Sequence, residues 1–360
     1  MSLYLVFKHR LRSASTIAIG CLLAVLSGGA ALAPGAAAAT PLPSPTPTIA
    51  PANAGDLTPP IPFPSKHLLR GVRPESYVDD VCDYLRRRWD PQNSPPGTIL
   101  VPIMYHRVGE GVGAGGRQGV SPAYFRQTMA EARRLGYQTV TAAQAAAFLE
   151  ENARIPERSL LLIVDDRRLG TVEGYFLPIL EQYDWTVTLG WIIADTDRRA
   201  GLWERLERLH ATGRLDVQAH GLRHLYMLPS TPIEQIREEI FGPIPILEKH
   251  VGYRPVVFVW PGGNFTKKTV EVARAAGYKL GFTVFARGPS MYNWIPLGKE
   301  ERAMGDPLLV LPRYWGTAGM VEQLGKAAAI GDETKQKAAS GFEQEAAYYR
   351  ASCGGELERR

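Results

Sequence analysis

Two acidic residues, Asp165 and Asp166, close the apolar run Leu160-Leu161-Leu162-Ile163-Val164. Further along, His220 and His224 close a second strand-like stretch through Leu215, Val217 and Ala219. One carboxylate and two imidazoles can hold a divalent cation and leave a coordination position for water, the pattern of a catalytic rather than a structural metal site. The other carboxylate is then available as a base. His106 follows another apolar run, and Pro261-Gly262-Gly263 follows a further one. Each element alone has a plainer reading: an acid pair caps a helix, a histidine pair with Gly221 inside it is a weak motif, and Pro-Gly-Gly is a turn. Their joint occurrence at the ends of successive apolar runs is what points to chemistry.

Such groups need a scaffold that brings distant residues together. Short apolar runs at 99–105, 160–164, 186–193, 215–219, 256–260, 280–285 and 308–311 alternate with helical stretches at 122–135, 142–152, 202–212, 232–251 and 267–276. That alternation predicts an α/β fold of parallel strands joined by crossover helices. In such folds the C-terminal strand ends share one face, where functional groups are presented.

A chain of 360 residues with 45% hydrophobic content is large enough for one sizeable domain with appendages. Lys8, Arg10 and Arg12 precede an uncharged stretch to Ala39, which reads as a secretory signal (1–39), with an uncleaved membrane anchor as the competing reading. The Pro-rich segment 40–65 reads as an extended spacer, 66–97 as a helical lead-in, 98–318 as the main domain, and 319–360 as a polar helical tail. The formal charge of +5 falls to +2 without the three basic residues of the signal. No basic stripe with interleaved aromatics is present, so nucleic acid is not an expected partner, and Arg86-Arg87-Arg88 reads as a solvated helix face. Of three cysteines, Cys21 lies in the signal; Cys82 and Cys353 either pair in an oxidising compartment or stay free.

The run Val101-Pro102-Ile103-Met104-Tyr105-His106, the Asp165-Asp166 pair, His220-Gly221-Leu222-Arg223-His224, Phe258-Val259-Trp260-Pro261-Gly262-Gly263 and Leu311-Pro312-Arg313 occur in that order. Together they resemble the polysaccharide deacetylases of the NodB-homology type, carbohydrate esterase family four. The Tyr105-His106 opening, and Val259 where an Arg would precede Pro261, are most similar to the branch acting on biofilm poly-N-acetylglucosamine. The resemblance implies a distorted (β/α)7-type barrel that removes N-acetyl groups from an extracytoplasmic aminosugar polymer, with Zn²⁺ or another divalent ion such as Co²⁺ or Ni²⁺. It implies Asp166, His220 and His224 as metal ligands, Asp165 as the base, the Gly262 N–H as an oxyanion donor, and His106 as general acid for the departing amine. Trp260, Pro261, Trp294, Arg313, Tyr314 and Trp315 are the expected substrate contacts, since sugars pack on aromatic faces.

Three positions depart from the family pattern. Arg167 stands where Gly is usual, Gly221 replaces Ser or Thr, and Val259 supplies no Arg to orient the catalytic carboxylate, a charge that Arg167 or Arg313 could provide instead. Arg167 therefore supports an alternative, a non-catalytic relative acting as a glycan-binding or assembly module. A third reading, hydrolysis of small linear or cyclic amides, requires a closed pocket. Partners beyond a polysaccharide, membrane contact other than through the N-terminal segment, and oligomeric state are not specified by these residues.

Overall fold

The computed structural model describes residues 65–110, 119–317 and 319–359. The expected signal or anchor and nearly all of the spacer lie outside the described residues. Among the described residues ten strands form two sheets: β1 (Arg73–Glu75), β2 (Ile99–Tyr105), β3 (Gln138–Thr139), β4 (Arg158–Asp165), β5 (Val187–Trp191), β6 (Leu215–Ala219), β7 (Val257–Val259), β8 (Leu280–Phe282), β9 (Ile295–Leu297) and β10 (Tyr314–Trp315). β1 and β9 make a small antiparallel pair. The main sheet runs β10-β2-β4-β5-β6-β7-β8 with β3 beside β4, and every pairing in it is parallel.

The strand residues explain this choice. Every residue of β2 and β5 is buried, as is β4 from Ser159 onward, the near-continuous apolar signature of strands covered on both faces. Each fully buried Leu, Ile or Val contributes about 1.5–3 kcal/mol. Crossover helices start where the sequence provides caps. Ser121 accepts from Tyr124 N–H with Pro122 in the first turn, and Thr141 with Gln144 and Thr266 with Thr269 form reciprocal caps.

The sheet curls, and the segment 311–316 joins its edges. On one side Leu311 N–H donates to Gly281 O and Thr283 N–H to Leu311 O; on the other Gly316 N–H donates to Met104 O of β2. The result is a curled (β/α)7-type barrel.

Several sequence expectations change. The strand expected at 308–311 is a single 3₁₀ turn (Pro307–Leu309), and the pairing strand comes later as β10, because Pro307 and Pro312 cannot donate to a ladder. The single helix expected at 232–251 is two helices, Ile233–Phe241 and Pro243–Val251, since Pro243 has no N–H to extend the first. The final stretch is one helix, Met320–Ser352, which buries Leu324, Ala327, Ile330, Ala338 and Phe342 against the rest of the fold. Arg88 is not on a solvated face: its guanidinium pairs with Glu345 of that helix at 3.1 Å, while Arg86 and Arg87 pair with Asp83. Cys82 and Cys353 form a disulfide, joining helix Val81–Trp89 to the C-terminal helix. Among the described residues no helix is long and apolar enough to cross a membrane.

Candidate active site

Strand register converts the sequence motifs into one place. Tyr105 is level with Val164, Asp165 with Gly190, Trp191 with Ala219, and Ala219 with Phe258. His106, Asp165, Asp166, His220 and Val259 therefore emerge together at the C-terminal ends of neighbouring strands. They line or border an open pocket of about 710 Å³ whose wall includes His106, Asp165, Asp166, His220, His224 and Trp315.

Asp166, His220 and His224 each offer a ligand atom, and these atoms lie within 4.8 Å of one another. Asp166 Oδ1 is 3.7 Å from His220 Nε2 and 3.8 Å from His224 Nε2. His220 Nδ1 is 2.8 Å from the Val259 carbonyl, which fixes Nδ1 as the donor and leaves Nε2 as the lone-pair nitrogen facing the cluster. Burial pushes the His220 pKa down to about 4, so the ring is neutral, the form a metal ligand requires. The donor set of one carboxylate and two imidazoles, open on the pocket side, fits a divalent ion of the zinc type.

Asp165 is the other carboxylate, buried at 2% exposure. Burial alone would raise its pKa, but the nearby charge of Arg313, with His220 and His106, outweighs this and holds the carboxyl below the usual range. Arg313 is fully buried; its Nη1 donates to Asp165 Oδ1 at 2.7 Å and its Nε to the Thr283 carbonyl at 2.7 Å. Asp165 Oδ2 is left facing His106 Nε2 at 3.8 Å. The His106 ring stacks on Trp315, with centroids 5.9 Å apart and planes at 15°. Trp315 is itself pinned by its indole N–H to the Val284 carbonyl at 3.0 Å.

The remaining expected residues divide. Gly262 lines the pocket at φ +61°, where a Cβ would come within 2.8 Å of the Tyr226 ring. Trp260 borders the pocket, but it is fully buried and donates its indole N–H to the Leu309 carbonyl; Pro261 is buried beneath the turn. Arg313 sits behind Asp165 rather than on the substrate side. Trp294 is not in the pocket: it lines a small cavity with Tyr84, Pro95 and Thr98, at the start of β2 and hence the opposite end of the barrel. Tyr314 is buried and faces away from the pocket that its neighbour Trp315 lines, because side chains alternate along a strand. Arg167 also turns away, donating to the Ile192 and Ala194 carbonyls; the arginine in the pocket is Arg168, whose Nε is 3.7 Å from Asp166 Oδ2.

Four contributors escaped the sequence reading. Arg168 and the exposed Tyr226, whose ring lies 5.6 Å from His224, stand at the pocket rim. Gly190 lies beneath it, where a Cβ would rest in ordinary contact, 3.4 Å from the His220 Cβ and 3.6 Å from Asp165 Oδ1. A glycine inside a strand is the signal that could have found it. Glu239, 1% exposed, accepts from the N–H groups of Arg223 and Leu225 in the histidine loop.

Fold and site together define a NodB-type barrel with three donors at its mouth that could hold a metal ion. Residues 152–281 match the family model described as polysaccharide deacetylase. YxkH of Bacillus subtilis, whose name assigns it provisionally to the polysaccharide deacetylases, is 23% identical over 181 residues, 50% of this chain and 63% of that protein. The match thus spans less than two thirds of that relative's length. Among solved structures, the Streptococcus pyogenes deacetylase PplD in complex with acetate aligns with a TM-score of 0.54 at 20% identity, covering 64% of this chain and 98% of that one. IcaB from Ammonifex degensii aligns with a TM-score of 0.52 at 23% identity, covering 64% and 97%. At these identities the structural likeness speaks for the fold. Residues 152–281 thus match a polysaccharide deacetylase domain, and they lie in a fold of the NodB type.

Proposed function

We propose that this protein hydrolyses N-acetyl groups of an extracytoplasmic aminosugar polymer such as poly-N-acetylglucosamine, chitin or peptidoglycan, using a divalent ion, Zn²⁺ in the first instance. The observation that carries the reading is Asp165, buried and paired with Arg313, standing between His106 and the cluster of Asp166, His220 and His224 in one open pocket.

Asp166, His220 and His224 would hold the ion. Bound there, it supplies a Lewis acid that polarises an acetyl carbonyl and lowers the pKa of a water. Asp165, kept ionised by Arg313, takes the proton of the attacking water on Oδ2, because Oδ1 is engaged by the guanidinium. The Gly262 N–H is the donor for the developing oxyanion. His106 delivers a proton to the departing amine, and its stacking on Trp315 holds the ring at the pocket wall. Tyr226 and Trp315 offer aromatic faces to the sugar. Arg167 donates to backbone carbonyls, so the residue that favoured an inactive module does not block the cluster. The open pocket suits a polymer better than a small cyclic amide.

The test is metal stoichiometry and acetate release from N-acetylglucosamine oligomers, with the full chain and with His220→Ala. About one metal per chain, lost in the variant together with acetate release, is the expected result. Sugar binding by a metal-free wild type without turnover would instead make the protein a glycan-binding module.

A further inference from the structure

The loop that carries both histidines is tied down by one residue of the following helix. Leu222 N–H donates to the main-chain carbonyl of Glu239 at 3.2 Å. The Glu239 side chain then accepts from Arg223 N–H at 3.0 Å to each oxygen and from Leu225 N–H at 2.8 Å. Between these donors stands His224, at φ +66°, a left-handed conformation that costs a non-glycine residue roughly 1–2 kcal/mol and needs outside support.

Gly221 belongs to the same construction. It sits at φ +84°, and a Cβ there would lie 2.3 Å from Glu239 Oε1. The carboxylate thus fills the space that any side chain at 221 would need. Helix Ile233–Phe241 buries Ile236 and Ile240 alongside Glu239, so the acid is on the packed face and not on the solvated one. Its neighbour Glu238 is exposed and pairs with the Arg223 guanidinium.

We infer that Glu239 is a positioning residue for metal binding: its buried carboxylate gathers the loop N–H groups and holds His224 in the backbone conformation that aims its imidazole at Asp166 and His220. This rests on the metal-dependent reading above. The carboxylate suits the task because it only accepts, with several lone pairs for converging N–H donors. An amide in its place turns one N–H against those donors, and an aspartate draws the acceptor back by one methylene.

The experiment uses the full chain with Glu239→Gln, Glu239→Asp and, as a neighbouring control, Glu238→Gln. Co²⁺ affinity is measured by absorption titration and Zn²⁺ affinity by chelator competition, beside the thermal midpoint of each metal-free protein. Both Glu239 variants should bind about ten- to a hundred-fold more weakly, the usual effect of losing a group that orients a ligand, with an altered Co²⁺ spectrum; Glu238→Gln should bind like wild type. A role confined to stability would lower the thermal midpoint and leave the affinity of the folded variant unchanged. Wild-type affinity and spectrum in a folded Glu239→Asp or Glu239→Gln protein overturns the inference. Failure of the wild type itself to bind either ion overturns the metal-dependent reading instead.

Discussion

Asp165, the base of the proposed reaction, and Arg313 show how a carboxylate is kept ionised in a buried place. Burial works against the charge, and the guanidinium at 2.7 Å, itself fully buried, reverses the balance. The group therefore stays a base down to acidic pH, and the acid limb of the pH–rate profile is expected to lie low. Removing the cation leaves burial opposed only by the histidines, so the carboxyl pKa rises and the base is protonated at higher pH. Arg313→Met should move the acid limb of kcat/KM toward neutral pH, read from acetate release at a series of pH values. Breaking a buried pair on one side also costs about 3–5 kcal/mol, so the profile should be measured well below the variant's thermal midpoint. A limb that stays in place would remove Arg313 from the mechanism.

At the scale of elements, the closing segment of the barrel is also a wall of the pocket. Gly316 lets it approach β2: a Cβ there would lie 2.2 Å from the Tyr105 ring, and Gly316 N–H donates to the Met104 carbonyl at 2.9 Å. Its neighbour Trp315 stacks on His106. Gly316→Ala should push this segment outward, lowering stability by about 1–3 kcal/mol as overpacking does. It should raise KM by displacing Trp315, while bound metal remains about one per chain because the proposed ligands are in the loops after β4 and β6. Melting curves, metal analysis and steady-state kinetics on the same preparation separate these effects, and unchanged KM would show that Trp315 does not meet substrate.

For the whole molecule, the helix that precedes the barrel, Val81–Trp89, is joined to the C-terminal helix. The Cys82–Cys353 bond spans a sequence separation of 271, and Arg88–Glu345 and Trp89–Phe342 contacts pack the same two helices together. A long closed loop restricts the unfolded chain, and removing such a bond typically costs about 2–4 kcal/mol. Neither cysteine lines the pocket. Cys82→Ser with Cys353→Ser should therefore lower the thermal midpoint while leaving acetate release per folded molecule near wild type. Reduction of the native protein should reproduce the shift.

The sequence by itself determined the parallel α/β plan and the identity of the acid and histidine cluster. Short unbroken apolar runs alternating with helical stretches fit strands buried on both faces, and polar residues at their C-terminal ends have one shared face to occupy. For a charge beside Asp165 it offered Arg167 or Arg313 without separating them. Only the tertiary structure decided between them, since adjacent arginines in one loop point in different directions, Arg167 to the carbonyls after β5 and Arg168 into the pocket. It moved Trp294 to the opposite end of the barrel and turned Tyr314 inward, because an aromatic residue near a loop has no side until strand order and register assign one. Glu239 left one local trace, an acid on the apolar face of its helix, yet its partners are backbone N–H groups of another segment, and backbone donors are the same in every sequence.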